Sequence, residues 1–162
     1  MSAVLLLWAA SSARATDQPP VASVNLPRGT VMVGKIEIPA LGLATKVLEG
    51  SDAPTLRLAV GHIPGTAVPG PSGNVGLAGH RNTFFRSLRK IKVGDEIRFS
   101  TVAGTFQYRV VSLRIVLPSA IHVLDATQQP TLTLVTCYPF DFIGSAPQRL
   151  IVQAEMIPAF PG

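Results

Sequence analysis

The stretch Thr131-Leu132-Thr133-Leu134-Val135-Thr136-Cys137, with Arg149 twelve residues further on, decides how the rest of the chain is read. Its β-branched content and strict alternation mark a strand. Period two puts Thr131, Thr133, Val135 and Cys137 on one face and Leu132, Leu134 and Thr136 on the other. With the leucine face buried, Cys137 points out of the core at the C-terminal end of the strand. The next aliphatic run, Leu150-Ile151-Val152, sets Arg149 opposite Leu150 and Val152, on a face shared with Gln153 and Glu155. Upstream, Val75-Gly76-Leu77-Ala78-Gly79-His80 alternates His80 away from Val75 and Leu77. A thiol, an imidazole and a guanidinium thus each stand at or beside the end of a short apolar run. That is the equipment of a cysteine-nucleophile acyl-transfer enzyme. A lone cysteine at a strand end is also a common small hydrophobe, and the His80 and Arg149 contexts are what favour the nucleophile.

The bulk properties narrow the class. A chain of 162 residues suits one domain with a proper core. With 47% hydrophobic and 14% charged residues, disorder is excluded. The net charge of +5 is scattered, apart from Arg86, Arg89, Lys90 and Lys92, and few aromatics are interleaved for base stacking. Nucleic-acid binding is therefore disfavoured, and a mild attraction to anionic envelope polymers fits the charge as well. A single cysteine rules out an internal disulfide and a Cys-rich metal site, and three scattered histidines without convergent carboxylates make no metal cluster.

Along the chain, Ala3-Val4-Leu5-Leu6-Leu7-Trp8-Ala9-Ala10 is an unbroken apolar run followed by Ser11-Ser12-Ala13-Arg14-Ala15. Residues 1–15 read either as a signal-like segment with an Ala-any-Ala site or as the last part of a truncated transmembrane anchor, being about half a bilayer span. Either places the domain outside the cytoplasm. Residues 16–30, with Pro19, Pro20, Pro27 and Gly29, read as a linker, and residues 31–160 as the catalytic β domain. Val31 to Val47 reads as a strand pair around a Pro39-Ala40-Leu41-Gly42 turn. Ala53 to Val60 reads as a short helix capped by Ser51 or Asp52, with Pro54 in its first turn. Gly61 to Gly73, with four glycines and three prolines, reads as a rigid irregular loop containing His62. Phe84, Phe85 and Leu88 suggest a short amphipathic helix capped by Asn82 or Thr83. Glu96 to Phe99 and Phe106 to Val111 form a hairpin, Ser112 to Leu117 continues the sheet, and Ala120 to Leu124 is a helical turn with His122 at its surface. Strands every 8–12 residues with no βαβ rhythm predict a mainly β fold, an antiparallel-rich closed or nearly closed barrel with two or three short helices.

Leu134-Val135-Thr136-Cys137 followed by Arg149, with His80 in a Gly79-His80-Arg81 context, resembles the sortase family. Gly61-His62-Ile63-Pro64-Gly65-Thr66-Ala67 and Thr136-Cys137-Tyr138-Pro139-Phe140 are most similar to its class D and class E branches, over about Val33 to Ile157. The resemblance implies an eight-stranded barrel, an N-terminal membrane anchor and an extracytoplasmic site. It implies Cys137, His80 and Arg149 as catalytic residues. Thr136, beside the nucleophile, reads as a site wall or equally as an ordinary strand threonine. His62 reads as a solvated or hydrogen-bonded loop histidine or, by its recurrence in the class D-like pattern, as part of a substrate loop. The implied reaction is cleavage of a C-terminal LPxTG-like sorting signal on surface proteins, with transfer to an amine of peptidoglycan or a pilin lysine. No cofactor is implied, and for calcium, used by some sortases, the sequence argues neither way. A free thiol titrates at about 8.5, so an imidazolium and a guanidinium nearby favour its reactive thiolate. The imidazole can also protonate the departing amine, and a guanidinium fork suits the tetrahedral oxyanion. A hydrolytic cysteine peptidase on the same fold, or a catalytically silent barrel that binds envelope peptides, are the competing expectations.

Overall fold

The computed structural model describes residues 26–158, so segment 1–15 and residues 16–25 of the linker lie outside the described residues. Two strands open the fold, β1 (Met32–Ile38) and β2 (Leu43–Glu49), joined by a 3-10 turn at Pro39–Leu41. Gly42 closes that turn at φ 61°, a left-handed conformation that favours glycine, and donates its N–H to the Pro39 carbonyl at 3.1 Å. Helix α1 (Ala53–Leu58) follows, with the Asp52 carboxylate accepting the Thr55 N–H at 2.9 Å. That hydrogen bond holds the Asp52 carboxyl below its ordinary value. Then come β3 (Val60–His62), β4 (Asn74–Ala78), β5 (Glu96–Thr101), β6 (Gly104–Val116), β7 (Thr131–Tyr138) and β8 (Gln148–Met156).

The eight strands close into a barrel in the order β1–β2–β3–β4–β7–β8–β6–β5. Pairs β2–β3 and β4–β7 are parallel and the others antiparallel. It follows that β1, β4, β6 and β7 end, and β2, β3, β5 and β8 begin, at one common rim. Period-two patterning fills the inside: Ile36, Ile38, Val47, Leu77, Ile97, Phe99, Leu132, Leu134 and Val152 are all buried there. The expected mainly β barrel, with few short helices, is the observed architecture.

Three local expectations change. The whole of 61–73 was expected to be loop, yet Val60–His62 is a strand, its His62 carbonyl accepting the Gly50 N–H at 2.9 Å, and only the segment after it is irregular. The helix expected at Phe84–Leu88 is a series of tight turns and a 3-10 segment, Arg86–Lys90, with no side-chain cap. Phe85 dictates this: its N–H reaches back to the His80 carbonyl at 3.1 Å, and its ring fills the space that Gly79 leaves open. A Cβ on Gly79 would lie 2.6 Å from that ring. Third, the face of β7 that carries Cys137 was expected to point out of the core, yet its first residues, Thr131 and Thr133, are buried. Because β6 ends at the rim and β7 begins at the opposite end, the chain between them must cross back over the outside of the sheet. Its 3-10 turn at Ile121–Leu124 packs there with Ile63 and Thr66 around Gly76, the residue paired with Thr133. Asn74 fastens it, donating to the carbonyls of Val123 at 3.0 Å and Asp125 at 3.1 Å while accepting from Thr133 at 2.7 Å.

Candidate active site

Cys137 and Arg149 are directly opposed in the β7–β8 ladder, so their side chains leave the sheet on the same face. On the other flank of β7, the parallel β4 ladder pairs Ala78 with Val135, and the Gly79 N–H extends it to the Val135 carbonyl at 3.2 Å. The next residue is His80, just past the end of β4 at the same rim. Thiol, imidazole and guanidinium therefore occupy the rim ends of three neighbouring strands, β4, β7 and β8, and all three residues are half-buried. The sequence placed each of them at or beside the end of an apolar run, and the register sets Cys137 opposite Arg149 with His80 just past the end of the neighbouring β4.

Arg149 is held by its own loop, Nη1 donating to the carbonyls of Gln148 at 2.8 Å and Ala146 at 3.1 Å. A guanidinium has five N–H donors in a fixed fork, so Nε and Nη2 remain for an incoming oxygen. Cys137 is a free thiol.

Thr136 alternates to the other face of β7 and is buried in the barrel, donating to the Gly79 carbonyl at 2.7 Å. The expected site wall is thus an inward strap that fixes the residue before His80. His62 is buried as well, with Nδ1 2.7 Å from the Glu49 carboxylate and Nε2 2.8 Å from the Ala67 carbonyl and 3.2 Å from Thr66 Oγ1. Its side chain is only 4% exposed. It staples β2 to the segment after β3, and both ring nitrogens are occupied.

Arg81, quoted in the Gly-His-Arg motif but given no role from sequence, makes the densest set of contacts near the site. Its guanidinium donates to the carbonyls of Pro139 at 2.8 Å, Phe142 at 2.7 Å and Gly144 at 2.9 Å. The residue after His80 thereby grips the loop that carries the chain from Cys137 to Arg149. The signal available beforehand was its adjacency to His80. Next to it, Arg89 pairs with Asp141 at 2.9 Å and stacks on the Phe140 ring, whose own edge meets Tyr138 at 6.2 Å between centroids.

Residues 36–157 match the sortase-domain family. The chain belongs to the sortase family. Sortase D of Bacillus subtilis (strain 168) is 31% identical over 150 residues, covering 92% of this chain and 76% of that protein. Sortase SrtE1 of Streptomyces coelicolor is 34% identical over 145 residues, 78% of this chain but only 40% of its own length. The solved Clostridium perfringens sortase D5 transpeptidase superposes with a TM-score of 0.72 at 36% identity, covering 78% of this chain and 79% of that one. These similarities are class D-like, with SrtE1 beside them, and the motifs resembled the class D and class E branches. Sortases are cysteine transpeptidases, extracytoplasmic and membrane-associated as a family. Among the described residues of this sortase, no helix is long and apolar enough to cross a membrane.

Proposed function

We propose that this sortase cleaves an LPxTG-like C-terminal sorting signal and joins the new carboxyl end to an amine. The observation that supports the reading is the register around β7, which pairs Cys137 with Arg149 of β8 and Val135 with Ala78 of β4, two residues before His80. In this reading the Cys137 thiolate attacks the carbonyl carbon of the signal's threonine. Arg149 Nε and Nη2 receive the developing oxyanion, a type of contact worth roughly a hundred- to a thousandfold in rate. Collapse breaks the C–N bond, and His80 gives its proton to the departing amine, leaving a thioester on Cys137. An acceptor amine, from a peptidoglycan cross-bridge or a pilin lysine, then attacks that carbonyl. The new C–N bond forms, the C–S bond breaks, and His80 takes up the amine proton. Residues 31–160 are the catalytic domain, with 16–30 as a linker and 1–15 as the membrane-side segment holding it outside the cytoplasm.

Intact-mass analysis of the protein with a Leu-Pro/Ala-any-Thr-Gly/Ala peptide library and an added amine tests this directly. Wild type should show an acyl adduct that the amine resolves, Cys137→Ala should show none, and His80→Ala and Arg149→Ala should acylate at least a hundredfold more slowly. An adduct resolved by water alone would establish a peptidase. No adduct, with a thiol no more reactive than free cysteine, would establish a silent binding barrel.

A further inference from the structure

The same rim carries a second feature that the acylation chemistry does not use. A cavity of about 630 Å³ opens between the β1–β2 turn and the segment after His80, floored by Leu41, Leu43 and Phe84 and edged by Arg86, Arg89 and Lys90. No carboxylate lines it. A smaller cavity of about 240 Å³ shares Arg86 and Arg89 with it and runs on to Arg81, the residue after His80. Together the two form a trough that reaches Arg81, the sequence neighbour of His80. Four cations line it against one carboxylate, Asp141. Arg81 is consumed by three loop carbonyls and Arg89 by Asp141. The side chains of Arg86 and Lys90 have no hydrogen-bond or ion-pair partner among the described residues.

Attack on a thioester needs a neutral amine. An ordinary alkylamine is protonated at neutral pH, so a simple cationic amine would be repelled from this trough. An amine borne on an anionic molecule would instead be drawn in. Once there, the surrounding positive charge would favour its uncharged, nucleophilic form. A trough that merely excluded amines would defeat transfer, whereas one that sorts them by the charge of their carrier serves it. We infer that this trough is the entry site for an acceptor amine carried on an anionic molecule, its carboxylate or phosphate groups held by Arg86 and Lys90. Its free amine forms the C–N bond at the Cys137 thioester, the thiolate leaves, and the amine proton passes to His80. This rests on the transpeptidase reading above.

The test is a competition for the acyl-enzyme between matched acceptors, with hydrolysis measured in the same reactions. One diglycyl peptide ends in two glutamates, a second in two phosphoserines, and a third in two glutamine amides. The anionic acceptors should capture the acyl group about tenfold more efficiently than the neutral one at low salt. That preference should shrink severalfold between about 0.05 and 0.3 M salt as the charges are screened. The stronger of the two anionic arms identifies carboxylate or phosphate as the source. In Arg86→Gln/Lys90→Gln the preference should vanish, and in Arg86→Lys/Lys90→Arg it should persist, which separates charge from fold. Equal capture of charged and neutral acceptors by wild type would overturn the inference while leaving the transpeptidase intact. So would a preference that survives Arg86→Gln/Lys90→Gln. Loss of binding to a soluble polyphosphate in that variant, with acceptor preference unchanged, would overturn it in favour of attachment to an envelope polymer. An enzyme that forms no acyl adduct with any signal peptide would overturn both readings together.

Discussion

His62 sits at the end of β3 with its ring between the Glu49 carboxylate and the Ala67 carbonyl. Nothing in Gly61-His62-Ile63-Pro64 distinguishes that buried staple from a histidine presented on a loop. The difference lies in Glu49, thirteen residues upstream, which the β2–β3 register brings beside it. His62→Ala should therefore lower stability by about 2 kcal/mol, from the lost packing and the carboxylate and carbonyl left without their partner. A urea titration reads this as a lower midpoint with an unchanged slope. Acyl-enzyme formed per folded molecule should stay at the wild-type level. A variant as stable as wild type that no longer acylates would move His62 into the chemistry. The strand-end placement of Cys137, His80 and Arg149 was readable for the opposite reason. Each ends or flanks an apolar run whose alternation alone says which way it faces, and no distant partner is needed to place it.

At the scale of elements, the loop between β7 and β8 borders Cys137 and Arg149 at the rim, and Arg81 holds that loop. Its three acceptors, Pro139, Phe142 and Gly144, span the first two-thirds of the loop. Each hydrogen bond from a charged donor contributes roughly 1.5–3 kcal/mol, here spent on ordering one short segment. Arg81→Ala should free the loop without unfolding a barrel closed by eight ladders, so kcat for acylation should fall at least tenfold with little change in KM. Arg81→Lys should restore little, because a single ammonium cannot match a planar fork that serves three separate carbonyls. Single-turnover acylation together with limited proteolysis between 139 and 147 measures both effects. A normal kcat in Arg81→Ala would refute the clamp. The contrast with β7 explains what was not legible here. Alternation marked the leucine face of β7 correctly, but burial of Thr131 and Thr133 depends on the returning 117–130 segment. That segment's own composition does not say which surface it crosses. The same holds at Phe84–Leu88, where apolar spacing suggested a helix and the fit of Phe85 over Gly79 imposed tight turns.

At the scale of the molecule, hydrophobic period shows which residues face inwards but not which strand is the neighbour, so the parallel pairs β2–β3 and β4–β7 were not foreseeable from spacing. The β4–β7 pair is the one that brings His80 to Cys137, so the site depends on barrel closure as a whole. Strand β6 is central to that closure, pairing with β5 along its first half and with β8 along most of its length. Tyr108 lies where the two ladders overlap, opposite Ile97 on one side and Met156 on the other, and is among the largest fully buried side chains. Burial pushes its phenol up to about 12 from the ordinary 10.0, because the phenolate would lose its hydration inside the barrel. A folded-state value above the unfolded one means that the contribution is complete below pH 10.0 and declines as pH rises towards about 12. Over that window the unfolded chain ionises first, which draws the equilibrium towards unfolding by up to roughly 2–3 kcal/mol. Tyr108→Phe removes the titrating group while keeping the ring. Stability measured by urea from pH 8 to pH 11.5 should fall more steeply in wild type than in the variant, with the two curves diverging only above about pH 10. Parallel curves throughout would mean that the phenol reaches water in the folded barrel, and that the overlap of the two ladders is looser than the burial of Tyr108 requires.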